Sequence, residues 1–296
     1  MFRDIESLNV GKVSYNVDLS RYTTYKISAT GAVLVEPTDV EKLKVLIKYI
    51  KENNYKYNIL WNGSNLIFTN PVYDGILIKL DSFNELDINE NIVTVGAGYN
   101  LMKLALKCCM MGLTGLEFAT GIPGSVGGSV YMNAGAYNSD ISSVIVSASV
   151  LTPDLEVVTF NKSDFDFSYR MSHFQKYSGY ICLNAKFKLG FGNKDEIMEL
   201  VNDRRNRRIA SQPLEFPSAG SVFRNPEGDY AGRLIEESGF KGKVHGGAQV
   251  SVKHANFIIN VGGATGRDVK ELINDIKDTI KKNYGIELKV EQEFVE

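Results

Sequence analysis

The chain has 296 residues, 44% of them hydrophobic, and its 35 acidic and 33 basic residues give a net charge of −2. This length suffices for two or three domains with substantial cores, and the charge argues against nucleic acid as a partner. Three cysteines make no disulfide framework, no apolar run approaches membrane-spanning length, and residues 1–6 lack a signal-peptide core. We therefore expect a cytoplasmic monomer without membrane insertion.

Predicted helices and strands are mixed along the chain. Residues 38–41 match a capping box with Thr38 as the cap, and Asn100 is expected to cap a helix that runs to Met111 and stops at Gly112. Further helices are predicted at about 194–209, 232–238 and 268–283. Strands are predicted at 32–35, 57–60, 76–80, 92–95, 144–151, 156–160, 181–189, 248–252, 257–261 and 288–295. Because strands and helices do not alternate strictly, the order predicts an α+β protein in several lobes.

The most informative segment is GIPGSVGGS at residues 121–129, which leads into MNAGAY at 132–137. Glycine lets a backbone approach a ligand closely and permits positive φ, and we expect Gly124 and Gly128 to need that freedom. A tight connection between strands is the alternative for one such run. A second loop, NGSN at residues 62–65, follows a strand-like run. Since free backbone N–H groups suit phosphate oxygens, two such loops suggest a dinucleotide pyrophosphate.

Better-known motifs for nucleotides, nucleophiles and metals are absent from the sequence. It contains no P-loop, and Gly96-Ala-Gly98 lacks the third glycine of the dinucleotide fingerprint, so we interpret it as a turn. No nucleophile elbow occurs. The cysteines and histidines lack the spacing of metal ligands, and no metal site is expected.

Several segments, in the right order and across nearly the whole chain, resemble the UDP-N-acetylenolpyruvoylglucosamine reductase (MurB) family. The longest is GLTGLEFATGIPGSVGGSVYMNAGAY, and the others lie at 23–26, 62–65, 168–170, 217–226, 247–251, 253–257 and 291. The resemblance implies a two-lobed FAD-binding fold of the vanillyl-alcohol-oxidase (PCMH) type with a C-terminal α+β substrate-binding domain. The expected flavin-holding lobes are 1–85 and 86–205, the substrate domain is 206–290, and the final strand, about 290–296, returns to an earlier lobe.

Some positions depart from the family pattern. Residues 28–31 stand where the family usually has Gly-Gly-Pro-Ala, Trp61 stands where it usually has glycine, and Gln292 replaces a hydrophobic residue. Only ten residues separate Arg170 from the strand predicted at Ile181. This spacing resembles the shorter class of the family, which lacks a tyrosine-loop insertion.

The resemblance also implies the cofactor and the residues that hold it. FAD is expected to bind non-covalently, because the three histidines, His173, His245 and His254, lie outside the first lobe. The pyrophosphate is expected on Gly63, Ser64 and Asn65. The full set of expected cofactor-binding residues is Asn62, Gly63, Ser64, Asn65, Leu66, Gly121, Ile122, Gly124, Ser125, Gly128, Ser129, Asn133 and Ala134.

The implied reaction uses NADPH as co-substrate to reduce the enolpyruvyl group of UDP-N-acetylglucosamine-enolpyruvate to UDP-N-acetylmuramate. The flavin carries the hydride. Ser221 gives the proton to C2, Arg170 stabilises the substrate carboxylate, and Glu291 polarises the intermediate with it. From the residues alone, each has an ordinary alternative: a surface arginine paired with Asp164 or Asp166, a turn serine, or a solvated strand carboxylate.

Other candidates remain for these roles. Ser218 is the neighbouring serine and Glu293 the alternative carboxylate, while Tyr169, Asn225 and His254 are expected to contact the UDP-sugar. One arginine among residues 204–208 is a further candidate for the phosphates, although a charge run usually marks a solvated helix face. Two other functions are considered: a different flavoenzyme on this fold, such as a sugar-lactone oxidase, and a non-catalytic module that binds FAD or a nucleotide sugar.

Overall fold

The computed structural model describes Phe2 and residues 4–296. These residues mix α-helices with β-strands, as the sequence predicts. The helices are α1 (Val40–Glu52), α2 (Leu101–Met110), α3 (Val126–Tyr131), α4 (His173–Lys176), α5 (Lys194–Ser211), α6 (Ala231–Glu237) and α7 (Gly266–Tyr284). Within the described residues, no helix combines the length and the apolar character that crossing a membrane requires.

The strands form several small sheets. Their bounds are β1 (Gly11–Asp18), β2 (Thr30–Pro37), β3 (Tyr57–Ile59), β4 (Leu66–Phe68), β5 (Val72–Ile78), β6 (Leu86–Asn89), β7 (Ile92–Gly96), β8 (Leu113–Thr114), β9 (Gly135–Ala136), β10 (Ser139–Asp140), β11 (Ile145–Leu151), β12 (Val157–Asn161), β13 (Ile181–Lys188), β14 (Gly190–Phe191), β15 (Val244–His245), β16 (Ala248–Val250), β17 (Ile258–Asn260) and β18 (Glu293–Val295). The larger sheets have the orders β1-β2-β5-β3, β12-β11-β13-β7-β6 and β15-β16-β17, and the two-stranded ones are β10-β9, β14-β8 and β18-β4.

The chain divides into two compact units. The first comprises the residues up to Ser14, Val33–Asn62 and Gly75–Arg207, and the second comprises Tyr15–Ala32, Gly63–Asp74 and Arg208–Glu296. The lobes predicted at 1–85, 86–205 and 206–290 stay a prediction.

The core of the first unit is built on the five-stranded sheet. Its strand β11 pairs antiparallel with β12 and β13, and β13 pairs antiparallel with β7. Alternate residues point to one face, so Val93 and Val95 of β7 and Ala185 and Phe187 of β13 are all buried. Helix α2 adds Leu101, Leu104, Ala105 and Cys108 to the same hydrophobic cluster.

Helix α2 begins as predicted and ends at Met110, one residue earlier than predicted, whereas α1 begins one residue later than predicted. Asn100 caps α2 by accepting the backbone N–H of Lys103 at 2.9 Å. The capping box with Thr38 as the cap is wrong: Asp39 caps α1 by accepting the N–H of Lys42 at 2.9 Å. The hydroxyl of Thr38 donates to the Asp39 carboxylate instead, because a carboxylate at the helix start is the stronger acceptor.

The core of the second unit is built around α7. Thr265 and Asp268 form a capping box at its start, and Gly285, at φ +71°, ends it. Its buried face includes Leu272, Ile276 and Ile280, which share a hydrophobic cluster with Val250 of β16. The amphipathic period of the sequence therefore predicted this helix well.

The predicted strand at 288–295 is too long. Only β18, Glu293–Val295, forms a ladder, and it runs parallel to β4. Val290 instead makes an isolated antiparallel bridge with Phe223. The chain changes partner between these two points, so residues 291 and 292 follow no single strand alternation. The strands that were not predicted are β1, β4, β6, β8, β9, β10, β14 and β15.

Candidate active site

The glycine-rich segment folds into two short helical pieces. A 3₁₀ helix spans Glu117–Gly121, and α3 follows, with Ser125 as its N-terminal cap. The Ser125 hydroxyl accepts the N–H of Gly128 at 3.3 Å, and the Ser129 hydroxyl donates to the Ser125 carbonyl at 2.7 Å. Both serine side chains therefore support the shape of the segment. The sequence did not predict this helix.

Trp61 explains why two consecutive residues of α3 are glycines. A Cβ on Gly127 would overlap Cζ3 of the indole, and one on Gly128 would lie 2.9 Å from the Trp61 Cβ. The expectation that Gly124 and Gly128 need positive φ is wrong, since neither lies in that region. Close packing against Trp61 is what requires glycine at Gly128. Gly127 and Gly128 thus make room for the bulky tryptophan at position 61, where the family usually has glycine.

The loop at 62–65 is tightly constrained around Gly63. This glycine has φ +59°, and a Cβ there would overlap the carbonyl oxygen of Tyr22. The Thr24 N–H donates to the Gly63 carbonyl at 3.2 Å. Within the described residues, the hydroxyl of Thr24 is buried and has no hydrogen-bond partner. A glycine cradle with an unpaired hydroxyl beside it fits a group rich in hydrogen-bond acceptors, such as the phosphates of FAD.

Arg170 occupies a strained position in a two-residue turn. Ser168 and Met171 exchange backbone hydrogen bonds of 3.1 and 3.0 Å across the turn, and Arg170 has φ +57°. Its Nη2 donates to the Gly135 carbonyl at 2.7 Å, and its guanidinium carbon lies 5.6 Å from the Tyr169 ring centre. A non-glycine residue in this region costs roughly 1–3 kcal/mol and marks candidate functional positions.

Asn133 connects the glycine-rich segment to the Arg170 turn. It is 2% exposed, with φ +42°. Its Nδ2 donates to the Ser168 carbonyl at 3.0 Å and to Asp140 Oδ2 at 3.2 Å, and its Oδ1 accepts the Ser142 N–H at 3.0 Å. The side chain of this expected cofactor residue is thus an internal brace.

We expect Asn133→Ala to destabilise the protein much more than Asn138→Ala. Both positions have positive φ, which asparagine tolerates better than alanine does. Only Asn133→Ala leaves buried partners unsatisfied, at about 1–3 kcal/mol for each group, because the side chain of Asn138 is exposed. Urea unfolding measures the difference. Equal losses of unfolding free energy in the two variants would show that the brace contributes nothing.

The segment that carries Ser221 is held by backbone and amide hydrogen bonds. Gly220, at φ +73°, lets the chain turn before Ser221, which is half-buried. Asn256 fixes the residues that follow: its carbonyl accepts the Val222 N–H at 2.9 Å, and its side chain bonds both backbone groups of Phe223 at 2.9 and 2.8 Å. Sequence reasoning missed this asparagine, although it lies in the matched segment 253–257.

The second unit brings together Ser221, Glu291 and Asn65. The Glu291 N–H donates to the carbonyl of Val222, the residue after Ser221, at 2.8 Å. Asn65 Nδ2 donates to the Glu291 carbonyl at 3.0 Å, and the Asn65 carbonyl accepts the Glu293 N–H at 2.8 Å. Glu291 is thus bonded both to the predicted cofactor residue Asn65 and to the residue that follows Ser221. Arg170 belongs to the first unit.

The three expected substrate-binding residues have different surroundings. Tyr169 is 55% exposed, beside Arg170. The side-chain oxygen of Asn225 accepts the Ala231 N–H at 3.1 Å, at the start of α6. His254 packs edge-on against Phe257 at 4.8 Å, and burial lowers the pKa of its imidazole. The neutral ring of His254 is therefore favoured at neutral pH.

Arginines 204–208 lie at the C-terminal part of α5. The Arg204 guanidinium lies 4.8 Å from the ring centre of Tyr137, whose hydroxyl donates to the Arg204 carbonyl at 3.0 Å. Arg207 pairs with Asp203 at 2.9 Å, and Arg208 Nε donates to Gln212 at 2.8 Å. These contacts resemble those of an ordinary helix face more than those of a phosphate site.

Comparison with known families matches both parts of the chain. The family described as FAD binding domain matches residues 31–161, and the family described as UDP-N-acetylenolpyruvoylglucosamine reductase, C-terminal domain matches residues 212–295. The berberine bridge enzyme from Eschscholzia californica shares the fold, with a TM-score of 0.50 at 16% identity over 76% of this chain and 52% of that one. These findings define a flavin-dependent oxidoreductase with a separate C-terminal domain, and the predicted fold class is confirmed.

Several related proteins that share the same name match nearly the whole chain. The UDP-N-acetylenolpyruvoylglucosamine reductase of Halalkalibacterium halodurans is 44% identical and that of Bacillus subtilis 40% identical, each over 100% of this chain and 98% of its own length. The crystal structure of the reductase (MurB) from Thermus caldophilus has a TM-score of 0.82 at 31% identity, over 96% of this chain and 98% of that one. The chain belongs to the UDP-N-acetylenolpyruvoylglucosamine reductase family, which confirms the resemblance, and FAD is its cofactor.

Proposed function

We propose that the protein uses NADPH to reduce the enolpyruvyl group of UDP-N-acetylglucosamine-enolpyruvate, giving UDP-N-acetylmuramate for peptidoglycan precursor synthesis. The observation that supports this most strongly is the full-length match to reductases of that name. When bound, FAD would supply the transfer of a hydride between NADPH and C3 of the enolpyruvyl group. The protein must then bind the two substrates, stabilise charge and supply a proton.

We propose that FAD is held by lobes 1–85 and 86–205, and that residues 206–290 bind the sugar substrate. The family matches over residues 31–161 and 212–295 support this assignment, as does the buried, unpaired hydroxyl of Thr24 beside the Gly63 loop. The proposed FAD-binding residues are Asn62, Gly63, Ser64, Asn65, Leu66, Gly121, Ile122, Gly124, Ser125, Gly128, Ser129, Asn133 and Ala134. For Ser125, Ser129 and Asn133 the backbone is the proposed contact, because their side chains make internal bonds.

Arg170 is the proposed partner of the substrate carboxylate, which gains negative charge as the hydride arrives at C3. A guanidinium matches the two oxygens of a carboxylate. The tight turn and the bond to Gly135 hold Arg170 in place before the substrate binds. A charge that is positioned in advance stabilises the transition state without reorganisation during the reaction.

Ser221 is the proposed proton donor to C2, and Glu291 helps to polarise the intermediate. A hydroxyl is a weak acid, so Ser221 must act on a strongly basic carbon centre and within a fixed geometry. The backbone bond between Glu291 and Val222 supports their joint role, because it fixes the two segments side by side. Tyr169, Asn225 and His254 are the proposed contacts of the UDP-sugar. We further propose that the enzyme acts in the cytoplasm, where NADPH is supplied, and as a monomer.

The absorbance spectrum of the purified protein tests this function directly. We expect a yellow protein whose flavin band is bleached by NADPH without oxygen and restored by the enolpyruvyl sugar. A sugar-lactone oxidase would instead restore the band rapidly with oxygen, and a non-catalytic module would not be bleached. Either result would refute the proposed reaction.

We expect one FAD per chain that acid or heat releases intact. His245 pairs with Glu271 at 2.6 Å, His254 packs on Phe257, and the three cysteines are buried and free. The cysteines are buried and the two histidines are engaged by neighbouring side chains, so none of them is a free nucleophile for attachment to flavin. Precipitation with acid followed by the spectrum of the supernatant measures the released flavin. Colour that remains with the denatured polypeptide would contradict this expectation.

A further inference from the structure

Gln292 is a buried amide next to the proposed catalytic Glu291. It is 4% exposed and lies between the bridge at Val290 and strand β18. Its Nε2 donates to the carbonyls of Ala219 at 3.1 Å and Gly220 at 3.2 Å. These are the two carbonyls directly before Ser221, so the amide holds the N-terminal side of the Ser221 segment.

The other end of the Gln292 side chain is also engaged. Its Oε1 lies 3.5 Å from the hydroxyl of Tyr25, which is fully buried. A primary amide has two donors and one accepting oxygen, and each meets a partner here. The side chain is therefore fixed in one orientation, with its donors toward the Ser221 segment.

The Ser221 segment needs such an external support. Gly220 has no side chain, and a Cβ there would meet no heavy atom within 4 Å, so no packing limits the turn. On the C-terminal side of Ser221, Asn256 and the Glu291 N–H hold Val222. Gln292 supplies the corresponding bonds on the other side. The backbone on both sides of Ser221 is thus bonded to the same short stretch that carries Glu291.

The residue type matters at this position. A hydrophobic residue of similar size would fill the space but could not donate to the two carbonyls. A buried carbonyl that loses its donor costs about 1–3 kcal/mol, and a segment hinged at glycine relieves that cost by moving. The expected result of losing the amide is a displaced Ser221 rather than an unfolded domain.

We infer that Gln292 is a positioning residue that fixes the Ser221 hydroxyl relative to Glu291 for proton delivery. This inference rests on the proposed function and adds to it a residue outside the proposed catalytic set. Its effect must appear in the step that uses the proton, namely reoxidation of the flavin by the enolpyruvyl sugar. The reduction of flavin by NADPH does not need Ser221 and serves as an internal reference.

The test is Gln292→Met, which keeps the length of the side chain and removes its donors. Stopped-flow absorbance follows the two half-reactions separately. We expect reoxidation by the enolpyruvyl sugar to slow by roughly tenfold to a hundredfold, the usual effect of misplacing a reacting group by about 1 Å. Reduction by NADPH, FAD content and the temperature of unfolding should stay near wild-type values.

Asn91→Leu is the matched control. Its Nδ2 donates to the Leu189 carbonyl at 2.7 Å, in the first unit, so this variant also loses an amide-to-carbonyl bond. We expect both of its half-reactions to keep their rates. If Asn91→Leu slows reoxidation as much as Gln292→Met does, the effect is general destabilisation and the inference is wrong.

A double-mutant cycle separates positioning from a merely structural role. In a Ser221→Ala background no hydroxyl remains to be positioned, so adding Gln292→Met should slow reoxidation little further. A full additional slowing would overturn the inference. Gln292→Glu provides a second variant if the methionine protein loses FAD, and its carboxylate, facing two carbonyls, should slow reoxidation at least as much.

The proposed function and this inference fail in different ways. If the wild-type flavin is bleached by NADPH but not restored by the enolpyruvyl sugar, the proposed reaction is wrong and the inference falls with it. If the wild type turns over and both Gln292 variants reoxidise at its rate, only the inference is wrong.

Discussion

Ser221→Ala should slow reoxidation of the reduced flavin by the enolpyruvyl sugar by roughly 10²–10⁴-fold, the contribution of a positioned general acid. Reduction by NADPH should proceed at a near-normal rate, because it transfers no proton to C2. The lost interaction matters mainly in the transition state, so sugar binding should change little. Stopped-flow absorbance on each half-reaction measures both rates.

Ser218→Ala is the matched control for this prediction. Ser218 is a half-buried serine in the same segment, and its replacement should leave both half-reactions near the wild-type rate. Arg170→Ala is a less clean comparison, because losing the guanidinium also weakens binding of the substrate carboxylate. If Ser221→Ala slows both half-reactions equally, or slows neither, Ser221 is not the acid.

Gly128→Val should weaken retention of FAD by up to about a hundredfold while secondary structure survives. A Cβ at this position lies 2.9 Å from Trp61 Cβ and 3.1 Å from its Cγ, and the two methyl groups of valine add further overlap. Inserting a side chain into a packed site costs about 1–3 kcal/mol. Where this cost destabilises the FAD-bound protein, each ~1.4 kcal/mol weakens FAD binding about tenfold. The flavin-to-protein absorbance ratio and far-UV circular dichroism measure the two outcomes.

A compensating variant tests the reason for that loss. If the clash with Trp61 is responsible, Trp61→Gly in the Gly128→Val background should restore part of the FAD content, since it removes the atoms that valine meets. Normal FAD content in the single variant would show that the glycine-rich segment is only a connector. Loss of FAD without rescue would show that position 128 itself faces the cofactor.

Local signals predicted much of the secondary structure. Helices α2 and α7 have clear caps and amphipathic periods. The main strands of the five-stranded sheet are runs rich in β-branched and aromatic residues between turns. Helix α3 was missed because glycine has a low helix propensity. It forms because its bare backbone packs against Trp61, a contact between residues far apart in the sequence. Strand β1 was missed although Val13, Tyr15 and Val17 alternate with polar residues, and most of its residues are exposed or half-buried.

The candidate site was predicted from motifs rather than from physical patterns. Spacing alone left ordinary alternatives open for Arg170, Ser221 and Glu291. The residues that support them, Asn133 and Gln292, act on carbonyls 35 and 73 positions away. Hydrophobic periodicity along the chain does not reveal hydrogen bonds between residues so far apart in the sequence. The one sequence signal for Gln292 was its departure from the hydrophobic residue of the family.

Trp61 gives this protein a simple optical property. It is the sole tryptophan of the chain, and its ring rests on the glycine pair of α3. When tryptophan is excited selectively, the fluorescence therefore comes from one residue, which lies beside the loop that begins at Asn62. Flavin absorbs light in the range where tryptophan emits, so the emission of the unlabelled protein reports cofactor loading at one known position.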